Sequence, residues 1–326
     1  MTGEGFRPRA GRLSSGSVEV WIPHERGRSL MGELPAGVTI DVYEGPSADL
    51  PGDPAAVEFW VPPFLASGST VGLAEKMPAL RVVQLLTAGA DAWVGRLAEH
   101  VTLCDARGVH DSSTAEWAVA ATLAYLRDFP AFARAQARRE WAYRDHAPTD
   151  ELAGKRVLLV GAGSIGAAIA ARLAPFEVSL TRVARGARPA EGVHGVAELP
   201  GLLPDADVVI LVVPLTAETR GMVNGRFLGA MRDGALLVNA ARGPIADTAA
   251  LTAELATGRI SAAVDVTDPE PLPPDHPLWE MPNFLLTPHV AGSVRGVLAR
   301  GYRLVGAQLR RYVAGRPLVN RVVDGY

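Results

Sequence analysis

Val157-Leu158-Leu159-Val160-Gly161-Ala162-Gly163-Ser164-Ile165-Gly166 is the stretch on which the reading of the fold turns. Four consecutive apolar residues suit a strand buried on both faces, as in a parallel sheet covered by helices. The glycines that follow have the spacing G-x-G-x-x-G, and the Ala-rich segment from Ala167 to Leu173 continues as a helix. A glycine turn from a buried strand into a helix brings backbone N–H groups to a helix N-terminus. There they can face a pyrophosphate with no side chain in between. The spacing alone is common in loops, and the strand before it and the helix after it are what make it a dinucleotide signal.

Downstream, apolar runs recur at Val178 to Val183, Val208 to Val213, Ala235 to Asn239, Ile260 to Val266 and Phe284 to Thr287. Helical stretches separate most of them, which predicts a doubly wound parallel sheet of six strands. Upstream, shorter runs at Ser17 to Ile22, Val38 to Val42, Val57 to Val61, Arg81 to Leu86 and Val101 to Cys104, with a helical stretch from Ser69 to Met77, predict a smaller parallel α/β sheet. Between the two, Thr114 to Glu140 reads as a long helix interrupted near Pro130, with Ala115, Ala118, Val119, Thr122 and Leu126 as its apolar stripe. Val294 to Val313 reads as a helix that packs back on the first lobe. The chain of 326 residues, 48% hydrophobic, is long enough for two cores. The expected domains are 1–108 with 293–326, and 109–292, with a cleft between them.

A net charge of −3 argues against nucleic acid or anionic lipid as a partner. Cys104 is the only cysteine, so no internal disulfide forms, in keeping with a reducing compartment; it reads as a small core residue. No apolar run approaches the ~20 residues of a membrane span. The first 17 residues, rich in Gly, Ser and Arg, read as a mostly loose tail without the apolar stretch of a secretory signal. A cytoplasmic location is expected. No metal site is expected either, since neither H-E-x-x-H nor paired Cys/His spacing occurs. A serine hydrolase elbow, G-x-S-x-G, is also absent.

Sites that prefer NAD usually carry Asp or Glu about 20 residues beyond the glycines, to bind the adenosine ribose hydroxyls. Ala184 stands there, surrounded by Arg182, Arg185 and Arg188. A guanidinium pairs well with a 2′-phosphate, and no acid is present to repel it. NADP(H) is therefore the preferred cofactor, with NAD(H) possible; the alternative is that these arginines form a solvated face.

Three segments carry the residue types that hydride chemistry on a keto acid needs: Asn239-Ala240-Ala241-Arg242-Gly243, Asp265 to Leu272 including Glu270, and Thr287-Pro288-His289-Val290-Ala291-Gly292. A cation holds the carboxylate, and a general acid protonates the new alkoxide. Each follows a predicted strand, so all can meet at one sheet edge. Taken singly, Arg242 could cap a helix, His289 could sit in a turn and Glu270 could be solvated; their order within one dinucleotide domain favours chemistry.

With the glycine loop, these segments, Pro214-Leu215-Thr216-Ala217-Glu218-Thr219-Arg220-Gly221, Glu270-Pro271-Leu272-Pro273 and His276-Pro277-Leu278, the sequence from about Ala115 to Gly292 resembles the D-isomer-specific 2-hydroxyacid dehydrogenases. The first lobe matches loosely, chiefly at Thr87-Ala88-Gly89-Ala90-Asp91. The resemblance implies two Rossmann-like/flavodoxin-like α/β lobes and hydride transfer between a nicotinamide cofactor and a small 2-hydroxy or 2-keto acid. It implies that Arg242 grips the substrate, that His289 donates or accepts the proton, and that Glu270 pairs with His289, stabilising the imidazolium and fixing which nitrogen faces substrate. Cofactor contacts fall to Gly161, Gly163, Ser164, Ile165, Gly166, Pro214, Thr219, Ala240 and Asp265, the last toward the nicotinamide carboxamide, with Arg182 and Arg185 at the ribose. Backbone N–H groups of Ala88 and Gly89 would hold the substrate carboxylate. Closure is expected around Arg107 to Asp111 and Val290 to Ser293, along with a homodimer in which Trp141 reaches a neighbouring pocket. Relatives on the same fold leave two other readings: a nucleotide-sensing, corepressor-like interaction protein, and a formate or phosphite dehydrogenase.

Overall fold

The computed structural model describes residues 17–46, 48–64 and 68–323. The expected loose tail lies outside these residues apart from Ser17. The chain divides into two compact units, Met1–His110 with Arg295–Tyr326, and Asp111–Val294.

The first unit contains β1 (Val18–Ile22), β2 (Val38–Val42), β3 (Val57–Trp60), β4 (Val82–Gln84) and β5 (Thr102–Cys104). They form one parallel sheet in the order β2-β1-β3-β4-β5, the flavodoxin-like order. Side chains alternate across it. Val18, Val20, Ile22, Phe59 and Val82 face Tyr302, Val305 and Leu309 of the helix Val297–Val313. Trp21, Val57, Trp60 and Val83 face Val71, Met77, Leu80 and Trp93 on the other side. Each such side chain, fully buried, contributes roughly 1.5–3 kcal/mol. Cys104 is a core residue, and burial pushes its thiol up to about 12.

Two fully buried glutamines tie the carboxyl-terminal helix to this sheet. Gln308 Nε2 donates to Gln84 Oε1 at 2.9 Å and to Val319 O at 2.8 Å, and Val319 N donates to Gln308 Oε1 at 3.0 Å. Gln84 Nε2 donates to Leu85 O and Asp105 O, both at 2.9 Å. Satisfied in this way, the amides avoid the cost of a buried polar group without a partner.

The second unit opens with the helix Asp111–Leu126, stops at Asp128 in the left-handed conformation (φ 53°), and restarts as Phe129–Ala137 with Pro130 in its first turn, where a missing N–H costs no helical bond. Its strands are β6 (Arg156–Val160), β7 (Ser179–Ala184), β8 (Val193–Gly195), β9 (Val208–Leu211), β10 (Leu236–Asn239), β11 (Ser261–Val264) and β12 (Phe284–Leu286). The sheet has seven strands where the apolar runs predicted six. β8 was missed because Val-His-Gly at an edge carries no apolar run. The order β12-β11-β10-β9-β6-β7-β8 is all parallel, so every strand ends on the same edge. Succession reverses between β6 and β9, the switch point at which open α/β sheets take their ligands. One face, with Val157, Leu159, Val208, Ile210 and Val238, is covered by Ala115, Ala118, Ile169 and Leu173. The other, with Leu158, Val160, Val209, Leu211 and Leu237, is covered by Leu199, Phe227, Leu251 and Leu255. Among the described residues no helix is long and apolar enough to cross a membrane, and no group of three or more His, Cys, Asp or Glu could hold a metal ion.

Candidate active site

The loop after β6 divides its work among three glycines. Gly161 has φ +121° and lies against β9, so that a Cβ would sit 2.6 Å from Val212 O. At Gly166 a Cβ would sit 2.0 Å from Gly161 O, so the helix Ser164–Leu173 packs on the turn at backbone distance. At Gly163 a Cβ would meet nothing within 4 Å, which leaves the space above the loop open. One glycine for the turn, one for ligand approach and one for packing is what a pyrophosphate at a helix N-terminus requires, and these residues fit a dinucleotide. Ser164 Oγ donates to Asp111 Oδ1 at 3.1 Å, while Ile165 packs against the core beside the sheet.

The three arginines, Arg182 within β7 and Arg185 and Arg188 after it, differ. Arg182 donates to Glu191 O. Arg185 is exposed near Glu218, whose carboxyl is held below its usual range by the Thr216 hydroxyl first and by Arg185 least. Arg188 donates to Ala162 O at 2.9 Å and pairs with Glu191 at 3.3 Å, so it reaches the glycine loop. Sequence spacing could not single it out, because Ala162 is 26 residues away. Thr219 Oγ1 donates to Pro214 O at 2.7 Å and accepts from Thr216 N at 2.8 Å, closing the loop after β9. Ala240 N donates to Leu211 O at 3.1 Å at the end of β10.

Arg242 follows β10 and is half-buried. Buried Asn239, quoted in the sequence motif without a role, fixes this turn: its Oδ1 accepts from Ala241 N at 3.0 Å and its Nδ2 donates to Arg242 O at 3.2 Å. Arg242 Nη1 donates to Ala241 O at 2.9 Å. Gly243 lies so close to the β11 loop that a Cβ would sit 1.9 Å from Thr267 O. The close approach joins the Arg242 segment to the segment carrying Asp265 and Glu270.

His289 follows β12, and its Nδ1 lies 2.6 Å from Glu270 Oε1, with the two side chains 30% and 40% exposed. With Nδ1 engaged, Nε2 is the ring nitrogen that Glu270 does not take. His289 has φ 53°, a conformation that non-glycine residues hold only when neighbours enforce it. Asp265 does the enforcing. Its backbone O accepts from His289 N at 2.7 Å, its Oδ1 from Val290 N at 2.9 Å and from Thr287 Oγ1 at 2.6 Å, and its Oδ2 from Ala291 N at 2.8 Å. The Asp265 carboxylate, 2% exposed, organises the histidine turn.

In the first unit, Ala88 and Gly89 lie in the loop after β4, where Thr87 Oγ1 donates to Gly89 O at 2.8 Å. Trp141, beyond the helix Phe129–Ala137, is 95% exposed.

Residues 119–291 match the family profile described as D-isomer specific 2-hydroxyacid dehydrogenase, NAD binding domain. The formate dehydrogenase of Arabidopsis thaliana is 32% identical over 88% of the chain and 78% of its own length. Among solved structures, a D-isomer specific 2-hydroxyacid dehydrogenase from Xanthobacter autotrophicus Py2 in complex with NADPH and MES superposes with a TM-score of 0.82 at 31% identity, covering 96% of this chain and 100% of that one. The NADPH-dependent glyoxylate/hydroxypyruvate reductase SMc02828 of Sinorhizobium meliloti, in complex with NADP and sulfate, gives 0.79 at 27% identity over 95% and 100%.

Proposed function

The chain belongs to the D-isomer specific 2-hydroxyacid dehydrogenase family, and within it we propose a reductase of small 2-keto acids that prefers NADPH. Membership carries nicotinamide-dependent hydride transfer on 2-hydroxy and 2-keto acids. The observation that carries the finer reading is the Glu270–His289 pair at 2.6 Å. Gly161, Gly163 and Gly166 would hold the nicotinamide cofactor, which would supply the hydride for the keto carbon. His289 gives a proton from Nε2 to the carbonyl oxygen as it becomes a hydroxyl, and Glu270 stabilises the imidazolium before that transfer. Arg242 holds the substrate carboxylate and polarises the carbonyl.

The same pair discriminates against formate as the main substrate. Formate becomes carbon dioxide by losing a hydride alone, with no alkoxide to protonate, whereas a keto acid needs the acid that His289 provides. The lack of an acid at Ala184, with Arg185 and Arg188 nearby, supports NADPH over NADH. Exposed Trp141 and Tyr143 are apolar surface that a second copy would cover, which supports a homodimer.

The test is loss of nicotinamide absorbance with NADPH or NADH and a panel led by glyoxylate and hydroxypyruvate, alongside formate oxidation. Turnover of a keto acid that is lost in His289→Ala, with NADPH binding intact, is the expected result. Formate oxidation without keto-acid turnover, or no turnover of any acid, would replace the proposal with the formate or the sensing reading respectively.

A further inference from the structure

We infer that Trp117, far from any motif, is a positioning residue for His289. The strained His289 backbone depends on Asp265, and the Asp265 carboxylate depends on the hydroxyl of Thr287, which donates to it at 2.6 Å. A threonine hydroxyl has a single proton and could point it elsewhere. Trp117 Nε1 lies 2.9 Å from Thr287 Oγ1, and an indole N–H is a donor only. By occupying a lone pair of that oxygen, it leaves the hydroxyl proton to Asp265 and fixes the direction of the relay. Trp117 Nε1 donates to Thr287, Thr287 donates to Asp265, and Asp265 receives the N–H groups of Val290 and Ala291 through its carboxylate and that of His289 through its carbonyl.

The helix Asp111–Leu126 makes a firm base for this relay, because Ala115, Ala118 and Val119 are packed on the sheet of the second unit. Trp117 therefore sets where the His289 ring stands relative to Glu270 through Thr287 and Asp265. The inference rests on the acid–base reading of His289, and its test separates the two.

Trp117→Phe removes the N–H and keeps an aromatic ring; Thr287→Val removes the hydroxyl and Thr287→Ser restores it. Each is compared with the parent and combined with His289→Ala, following kcat, KM for the keto acid and the Kd of NADPH. Because small misplacements of an acting group are costly, Thr287→Val should lower kcat by about tenfold to a hundredfold and Trp117→Phe by about threefold to tenfold. KM and the NADPH Kd should stay within about twofold, and Thr287→Ser should recover the rate. In the His289→Ala background neither substitution should lower kcat further, since residues acting as one unit are not additive. An equal loss in that background, or weaker NADPH binding in place of a kcat effect, overturns the inference. If His289→Ala slows the enzyme while both Trp117→Phe and Thr287→Val turn over normally, the relay alone is wrong. If His289→Ala itself turns over normally, the acid–base reading and the relay fall together. Should Thr287→Val fail to fold, Trp117→Phe carries the same comparison.

Discussion

The two units are both parallel sheets wrapped in helices, yet they place their closest backbone approaches differently. In the second unit the tight glycines stand at the carboxyl edge: Gly161 against Val212, Gly166 against Gly161 and Gly243 against Thr267. In the first unit they stand under the covering helix: Gly306 against Met31 O, Gly301 against Leu86 and Gly27 against Tyr302. One sheet uses close approach to shape its carboxyl edge, and the other uses it to seat a helix. A fold class shared by both units therefore does not say which of them does chemistry. The position of the crowded glycines tells the two apart.

The comparison breaks most sharply at Gly243. Gly243→Ala should lower kcat/KM by about a hundredfold or more, because its Cβ would push the Arg242 segment off the Asp265–Glu270 segment. Steady-state kinetics with the keto acid would show it. Gly306→Ala is the counterpart in the first unit: overpacking against Met31 should cost about 1–3 kcal/mol in denaturant unfolding and leave the NADPH Kd unchanged. Gly163→Ala sharpens the contrast, since no atom in the protein opposes its Cβ. Unfolding should be unaffected while NADPH and NADH both bind about tenfold more weakly, by about 1.4 kcal/mol, in a fluorescence titration. Arg188→Ala should be milder, weakening NADPH by up to about fivefold and NADH little, as suits an exposed charge pair.

The smallest effect is on pH. Burial first, opposed by Glu44, lowers the pKa of His24 from its ordinary 6.5, and its Nδ1 lies 3.0 Å from the Tyr302 hydroxyl. The unfolded chain then takes up the proton more readily than the folded one, so stability from this group is present above 6.5 and is lost as pH falls through the lowered value. His24→Gln should flatten the decline in unfolding midpoint over that window.

Most of the sheets was legible because strands buried on both faces must be continuous apolar runs, as at Val157 to Val160 and Val208 to Leu211. β8 was not, since its three residues include His194 and Gly195. The segments carrying Arg242, Glu270 and His289 were legible as residue types after strand ends, and the His289–Glu270 contact joins two of them as expected. What holds them was not legible. The bond from Trp117 to Thr287 spans 170 residues, and the roles of Asn239 and Asp265 in bracing turns depend on burial and hydrogen-bond direction, which residue type does not reveal.

The helix Val297–Val313 also bears on how the chain matures. The face formed by Val18, Val20 and Ile22 emerges early in synthesis, but Tyr302, Val305 and Leu309, which cover it, come after the whole of Asp111–Val294. The middle of the chain can thus complete its core first, while the earliest strands wait with an apolar face uncovered. A nascent chain stalled before Val297 would be a substrate for chaperones on the face of Val18, Val20 and Ile22, far from its newest residues.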